Sequence, residues 1–125
     1  MSETKVEISR EFSFEAAHYI PNHKGACRNL HGHTYEGLVT VSSSQLDDMG
    51  MVVDYGDLKL IISEEIEDKY DHAMLNDSFV MPTAEIMVVA FFNRIQKRLS
   101  ESHPGIKLEE VALKETRKSW ARVRG

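Results

Sequence analysis

A strict two-residue periodicity near the start of the chain constrains the fold more than any other feature. From Val6 to His18 the even positions are apolar except for Arg10 and His18, and the odd positions are charged, polar or small. Side chains that alternate in this way are typical of a β-strand with one buried face. The pattern therefore predicts a long strand whose last inward-facing residue is His18.

A second strand is predicted after an irregular loop. Residues 19–30 contain Pro21 and Gly25 and show no periodicity, which is typical of a loop. Alternation then resumes, and His31 and His33 share their parity with the apolar positions Tyr35, Val39 and Val41. Both imidazoles are therefore expected on the apolar face of the second strand.

Two amphipathic helices are predicted in the middle of the chain. Asp54 is a good N-cap for the first, whose apolar residues fall on one stripe at helical spacing: Leu58, Ile61, Ile62, Ile66 and Tyr70. Thr83 is the preferred N-cap of the second, in which residues 86–99 are more uniformly apolar. The second helix is therefore expected to be the more buried of the two.

Two further strands are predicted after the second helix, which is expected to end before Pro104. The apolar positions of residues 108–113 indicate a strand whose parity carries Glu115 onto the apolar side, and a short last strand lies near residues 120–124. The order strand, strand, helix, helix, strand, strand predicts an α+β fold with helices layered on an antiparallel sheet. Without an internal repeat or linker, residues 1–125 are expected to form a single domain.

Size and charge restrict the classes of function. The 125 residues include only 7 Gly and 3 Pro, far from the composition of low-complexity sequences. With 15 basic and 20 acidic side chains the net charge is -5, which disfavours nucleic acid as a partner but allows a small phosphorylated ligand. The sequence has neither an apolar stretch long enough to cross a membrane nor a signal peptide at its start, so a cytoplasmic protein is expected.

Three histidines are the candidate metal ligands. His18 ends the first strand, and His31 and His33 begin the second, so the three imidazoles converge if the strands are neighbours. Imidazole nitrogen suits Zn²⁺, and a site with three histidine ligands leaves one coordination position for water or substrate. Each histidine alone is better explained as a strand residue bonded to a carbonyl, but the combination favours a catalytic zinc site.

Cys27, the only cysteine, has three open interpretations. It lies four residues before His31 in a loop that also contains His23, Lys24 and Arg28. A thiolate is stabilised beside cations or a metal ion, so Cys27 could act as a base or a nucleophile. The alternatives are a small buried side chain, or a fourth ligand that closes a structural zinc site and removes the open position.

Asp71 and His72 follow the first helix and are candidates for acid-base chemistry. A carboxylate can orient a neighbouring imidazole, so a relay of Cys27, His72 and Asp71 is one interpretation. Capping of the loop by the Asp71 side chain explains the pair equally well.

Glu115 is the remaining candidate, because an inward carboxylate at a strand end needs a charged partner or a ligand. An ion pair with Arg10 or Arg117 is one alternative. The other is a bound heterocycle whose planar N–C–N edge donates two hydrogen bonds to the carboxylate.

Five segments, in order along nearly the whole chain, resemble the 6-pyruvoyltetrahydropterin synthase family. They are residues 12–18 (FSFEAAH), 27–33 (CRNLHGH), 71–76 (DHAMLN), 82–85 (PTAE) and 114–116 (KET). The three residues between Cys27 and the His-Gly-His sequence are similar to the spacing in the bacterial and archaeal 6-carboxytetrahydropterin synthase branch of queuosine biosynthesis. One departure is that the family's Thr-Ser-Glu-Asn sequence appears here as TAEI at residues 83–86.

The resemblance implies the tunnelling fold, with two helices on one face of a four-stranded antiparallel sheet, assembled into homo-oligomeric rings with active sites between subunits. It implies zinc as the cofactor, bound by His18, His31 and His33. No external redox cofactor is implied, which agrees with the lack of a nucleotide-binding glycine motif.

The same resemblance assigns roles to the other candidates. It implies that Cys27, His72 and Asp71 form the acid-base group, and that Glu115 anchors the pterin with Thr83 nearby. The implied substrate is 7,8-dihydroneopterin triphosphate, converted to 6-carboxytetrahydropterin, acetaldehyde and triphosphate. A 6-pyruvoyltetrahydropterin synthase, or an aldolase that cleaves the pterin side chain, is the alternative within the family.

Overall fold

The computed structural model describes residues 4–125, which form a five-stranded sheet covered by helices. The strands lie in the order β3-β1-β2-β4-β5 and comprise β1 (Val6–His18), β2 (His31–Ser43), β3 (Ala73–Met74), β4 (Lys107–Thr116) and β5 (Ser119–Arg124). The helices are α1 (Tyr55–Ile62), a π-helical turn (Ser63–Glu67), α2 (Asp68–Tyr70) and α3 (Ala84–Ser102). Short 3-10 turns occur at Ala26–Arg28 and Leu75–Asp77.

The predicted α+β class is confirmed, but the prediction of a four-stranded antiparallel sheet is wrong. The pairs β1–β2, β2–β4 and β4–β5 are antiparallel, whereas β3 pairs with the end of β1 in parallel and makes the sheet mixed. β3 lies there because the Glu15 backbone is bonded on both sides: its N–H donates to Asp71 Oδ1 at 2.9 Å and its carbonyl accepts from the His72 N–H. Two residues are too few to produce a periodic signal in the sequence.

The register between β1 and β2 places the predicted inward residues directly opposite one another. His18 pairs with His31, and Phe14 pairs with Tyr35. The Phe14 and Tyr35 rings stack with their centroids 4.9 Å apart, and Phe91 of α3 meets Phe14 edge-on at 6.0 Å. Each of these aromatic side chains is almost fully buried and contributes about 1.5–3 kcal/mol of burial free energy.

Both predicted helix starts are confirmed by capping hydrogen bonds. Asp54 Oδ1 accepts from the Gly56 N–H at 2.6 Å, and Thr83 Oγ1 accepts from the Ile86 N–H at 3.2 Å. Such caps satisfy backbone donors that have no partner within the first helical turn. Within residues 4–125, none of the helices is both long enough and apolar enough to traverse a lipid bilayer.

Candidate metal centre and active site

Three histidine rings meet at one end of the sheet. The centroids of His18 and His31 are 4.6 Å apart, those of His31 and His33 are 4.8 Å apart, and those of His18 and His33 are 5.2 Å apart. Strand pairing explains this convergence, because His18 lies opposite His31 and the His33 side chain points to the same face two residues further on. The three rings therefore form one cluster built from β1 and β2.

Hydrogen bonds to backbone carbonyls fix two of these rings. The Nδ1 atom of His18 lies 2.8 Å from the carbonyl oxygen of Pro82, and Nδ1 of His31 lies 2.7 Å from the carbonyl oxygen of Asn29. Because a carbonyl can only accept, we assign the ring proton to Nδ1 in both residues. The Nε2 atoms then carry lone pairs, which is the tautomer that binds a metal through Nε2.

Glu115 joins the cluster from β4. Its Oε1 atom lies 3.2 Å from Nε2 of His33 and 3.7 Å from Nε2 of His18. The β4–β5 register shifts between Lys114 and Thr116, so Glu115 is the extra residue of a β-bulge. Bulges re-aim side chains and are common beside active sites. Sequence parity anticipated the inward direction of Glu115 but contained no signal for the bulge.

The alternative in which Glu115 pairs with an arginine is not observed. Among residues 4–125, the basic side chains within 4.0 Å of its carboxylate are the imidazoles of His18 and His33, and neither Arg10 nor Arg117 reaches it. The carboxylate is therefore directed at the histidine cluster and not at a guanidinium group.

These four side chains could hold a metal ion, since one ligand atom from each lies within 4.8 Å of all the others. Tetrahedral Zn²⁺ with bonds near 2.1 Å holds its ligand atoms about 3.4 Å apart. Three of the six separations among these atoms bracket that value: 3.0 Å between Nε2 of His18 and of His31, and 3.7 and 3.2 Å from Oε1 of Glu115 to Nε2 of His18 and of His33. The donor set of imidazole nitrogen and carboxylate oxygen fits zinc.

Burial supports the same protonation state. Burial lowers the pKa of His33, against the opposing influence of the Glu115 carboxylate, and so favours the neutral ring that binds metals. The Nε2 atom of His33 is buried and has no hydrogen-bond partner in the described part of the chain. A polar atom in that position needs a partner, which a metal ion would supply.

Tyr35 contacts the His18 ring of the cluster and was not identified as a site residue from the sequence. Its hydroxyl lies 3.2 Å from Nδ1 and 3.3 Å from Nε2 of His18, and both side chains are fully buried. Burial, followed by the nearby Glu115 charge, raises the pKa of the Tyr35 phenol, which therefore stays protonated. Its parity, shared with His31 and His33, is the signal that could have identified it.

Cys27 lies in the 3-10 turn Ala26–Arg28 and is half-buried. Its carbonyl accepts a hydrogen bond from the Ile20 N–H at 2.7 Å, which ties the loop back towards the end of β1. Within residues 4–125, the group of ligand atoms that could share an ion contains Glu115 and does not contain the sulfur of Cys27. A closed structural site completed by Cys27 does not match this arrangement.

Asp71 and His72 form a pair on the other side of the sheet. Asp71 Oδ2 lies 3.0 Å from Nδ1 of His72, and the Glu15 N–H, followed by His72, holds the pKa of the Asp71 carboxyl below its ordinary value. Nε2 of His72 is 4.0 Å from the Glu15 carboxylate. Because Glu15 and His18 differ in parity along β1, the pair and the histidine cluster lie on opposite faces within one chain.

A cavity of about 510 Å³ adjoins the cluster between α3 and the strands β4 and β5. Glu115 is part of its wall, together with Ala84, Glu85, Val88, Thr116 and Ala121. Thr83 is half-buried at the start of α3, next in sequence to the cavity residue Ala84. The wall combines apolar side chains such as Val88 with polar ones such as Thr116, and the Glu115 carboxylate lies at the end nearest the histidines, an arrangement that suits a flat heterocycle.

Comparison with known proteins agrees with this architecture. A family model described as 6-pyruvoyl tetrahydropterin synthase matches residues 7–125. A 6-carboxy-5,6,7,8-tetrahydropterin synthase of Synechocystis sp. is 40% identical over 110 residues, which cover 83% of both chains. A Bacillus subtilis protein with the same name is 31% identical over 123 residues, covering 91% of this chain and 82% of the relative.

Solved structures show the same fold. The 6-pyruvoyl tetrahydropterin synthase of Caenorhabditis elegans superposes with a TM-score of 0.85 and 27% identity, covering 100% of this chain and 99% of the other. The Plasmodium vivax enzyme of that name superposes with a TM-score of 0.75 at 19% identity, over 96% of this chain and 97% of the other.

Proposed function

The chain belongs to the 6-pyruvoyl tetrahydropterin synthase family, and on that premise we propose that it is a zinc-dependent 6-carboxy-5,6,7,8-tetrahydropterin synthase. It would convert 7,8-dihydroneopterin triphosphate and one water into 6-carboxytetrahydropterin, acetaldehyde and triphosphate, as a step towards queuosine. The observation that carries the proposal is the convergence of three imidazole Nε2 atoms and one carboxylate beside a cavity of heterocycle size. The names of the relatives in Synechocystis and Bacillus subtilis support this choice of product.

The metal would be held by His18, His31 and His33. When bound, zinc would act as a Lewis acid towards the side-chain hydroxyls of the substrate. The carbonyls of Pro82 and Asn29 keep Nε2 of His18 and of His31 free for the metal. These ligand side chains are therefore already ordered in the folded protein, so metal binding would lose little further conformational entropy.

Glu115 would bind the pterin. Its two carboxylate oxygens match the two N–H donors of the 2-amino and N3 edge, and such bidentate pairing fixes the ring in one orientation. The start of α3 at Thr83 would lie beside the ring, where Ala84 forms part of the cavity wall. Because the three-carbon side chain leaves the ring at C6, opposite the N3 edge, it would reach the histidine cluster only with the Glu115 carboxylate turned from that cluster into the cavity.

Proton transfer would be the task of Cys27, His72 and Asp71. Two electrons must move from the side chain into the dihydropterin ring, which requires protons to leave carbon and oxygen atoms of the side chain and others to be delivered to N5 and C6 of the ring. The Asp71 carboxylate orients His72 through the contact of 3.0 Å. Cys27 precedes the metal-binding strand β2 and would serve as the base nearest the substrate.

These three residues would come together only in a homo-oligomer. In one chain the Asp71–His72 pair lies on the face opposite the histidine cluster, so a second subunit is needed to bring such a pair to the site. We therefore propose that each active site contains the metal, Cys27 and Glu115 of one subunit and Asp71 and His72 of another.

Product analysis tests the function. The zinc-loaded protein should consume 7,8-dihydroneopterin triphosphate and release acetaldehyde with a 6-carboxypterin, detected by chromatography and mass spectrometry. A product that keeps its three-carbon side chain would instead identify a 6-pyruvoyltetrahydropterin synthase, the activity named for the Caenorhabditis elegans enzyme. The Cys27→Ala variant is the matched control, because it should retain metal and fold but lose turnover.

A further inference from the structure

We propose that Glu115 has two alternating partners: it is the fourth metal ligand in the substrate-free protein, and it leaves the metal to bind the N–C–N edge of the heterocycle. The proposal rests on the proposed function, since it concerns the same metal and the same class of ligand. It adds a displacement step in which substrate binding itself opens the coordination position that the reaction needs.

The first observation is the set of atoms that face one another. Nε2 of His18 and Nε2 of His31 both carry lone pairs, and Oε1 of Glu115 stands 3.7 Å from the first of them. Lone pairs and a carboxylate oxygen repel one another at such distances unless a cation lies between them. The carboxylate oxygen of Glu115 is therefore positioned to bind the same metal ion as the histidine nitrogen atoms.

The second observation is that Glu115 lacks a competing partner in the part of the chain that the structure describes. No hydrogen bond is made to its carboxylate, and the contact of 3.2 Å with Nε2 of His33 does not have hydrogen-bond geometry. The side chain is only 24% exposed. A carboxylate that is three-quarters withdrawn from water is stabilised by a cation or strong donors, and the metal is the available cation in the substrate-free protein.

The third observation is that Glu115 belongs to two sites at once. It forms part of the cavity between α3 and β5 and also part of the histidine cluster. Bidentate pairing with an N–C–N edge uses both oxygens and the full charge of the carboxylate, as does strong binding to zinc. The two interactions therefore compete, and the bulge at Glu115 leaves its backbone outside the regular β4–β5 pairing.

Competition of this kind makes a reciprocal prediction. If the heterocycle draws Glu115 away from the metal, the bound heterocycle must lower the protein's affinity for the metal. The bound metal must then lower the affinity for the heterocycle by the same factor. Unsubstituted pterin is the appropriate probe, because it carries the N–C–N edge but lacks the side-chain hydroxyls that could themselves bind the metal.

The test compares the unmodified protein, Glu115→Gln and the matched control Glu36→Gln. Glu36 is an exposed carboxylate that pairs with Lys114 at 3.5 Å, so its replacement changes the net charge equally without touching the cluster. Zinc affinity is measured by competition with a chelator, and the coordination of Co²⁺ placed in the site is followed by its visible absorption spectrum.

We expect Glu115→Gln to lower the zinc affinity by at least about tenfold, a loss typical of altered metal sites, and to change the Co²⁺ spectrum. The control Glu36→Gln should change neither the affinity nor the spectrum. Adding pterin to the unmodified Co²⁺ protein should produce a similar spectral change. Unchanged zinc affinity and spectrum in Glu115→Gln, with normal binding by the unmodified protein, would overturn this inference alone. Failure of the unmodified protein to bind zinc at all would instead contradict the proposed function.

Discussion

The Nε2 atoms of His18 and His31 lie 3.0 Å apart across directly paired positions of β1 and β2. Both rings donate their Nδ1 proton to a carbonyl, so neither has a second proton to offer the other in its neutral form. Two lone pairs that face each other at this distance repel, and a cation shared between them, a metal ion or a proton, removes the repulsion. The pairing of β1 with β2 thus places two nitrogen lone pairs where a cation would be stabilised, at the end of the sheet that contains His18 and His31.

Replacing Tyr35 with phenylalanine should weaken metal binding without unfolding the protein. The hydroxyl contacts the ring of His18 at 3.2 Å, and loss of an outer-shell contact typically costs 10–100-fold in metal affinity. Zinc affinity measured by chelator competition should fall by at least about tenfold. Tyr70→Phe is the control, since the Tyr70 hydroxyl is bonded by Arg94. Equal zinc affinities for the two variants would refute a role for Tyr35.

Replacing Gly37 with alanine should destabilise the fold strongly. A Cβ atom there would overlap the ring of Phe12 and lie 2.6 Å from the carbonyl oxygen of Ala112. Overpacking of this kind costs about 1–3 kcal/mol, so the free energy of unfolding in urea should fall by roughly that amount or more. At Gly32 the nearest atom would be 3.8 Å away, and Gly32→Ala should change stability by less than about 0.5 kcal/mol. Similar losses at both positions would contradict the packing seen here.

Acid should selectively remove the stabilisation provided by Glu109. The Lys5 ammonium at 2.8 Å, followed by the Ser42 hydroxyl at 2.6 Å, lowers the pKa of Glu109 from 4.5 to about 2. Because the folded-state pKa is depressed, the contribution is complete above the unfolded-state value and disappears as the pH falls towards the folded-state value.

The measurement is urea unfolding of the unmodified protein and of Glu109→Gln across that range. Their difference in free energy of unfolding should be constant above pH 4.5 and shrink steadily between pH 4.5 and 2. The Lys5→Gln variant should show a weaker pH dependence of the same sign. A difference that stays constant down to pH 2 would show that the Lys5–Glu109 contact does not form in solution.

Mixing two inactive variants should restore activity if the active sites lie between subunits. Cys27→Ala and His72→Ala are each expected to be inactive alone. After unfolding and refolding an equal mixture, about one quarter of the sites should combine an intact Cys27 with an intact His72 from another chain. Turnover near that fraction of the unmodified value is the expected result. A refolded mixture of native oligomeric size without turnover would show that both residues act from the same chain.

The parts of the fold that depend on side-chain period were predictable from the sequence. Alternation along β1 and β2 placed His18, His31 and His33 on one face, and strand pairing brings them together because adjacent strands are only about 4.8 Å apart. The caps at Asp54 and Thr83 were equally predictable, because side-chain oxygens at helix starts satisfy local backbone donors.

Features that depend on contacts between distant segments could not be predicted in this way. The β3 strand exists because the backbone of Glu15 bonds to residues more than fifty positions away, and two residues leave no periodic signal. The same holds for the Pro82 carbonyl that orients His18, since its position follows from how α3 packs on the sheet. The bulge at Glu115 depends on the register of β5 and is likewise invisible in a single strand.

X-ray absorption at the zinc edge of the purified protein is the most direct test of the metal site. We expect one zinc per chain with nitrogen and oxygen ligands only, three of them imidazoles, and loss of the bound zinc in His31→Ala but not in the control His23→Ala. A sulfur ligand in the spectrum, or zinc retained in His31→Ala, would show that β1 and β2 do not build this site from three histidines.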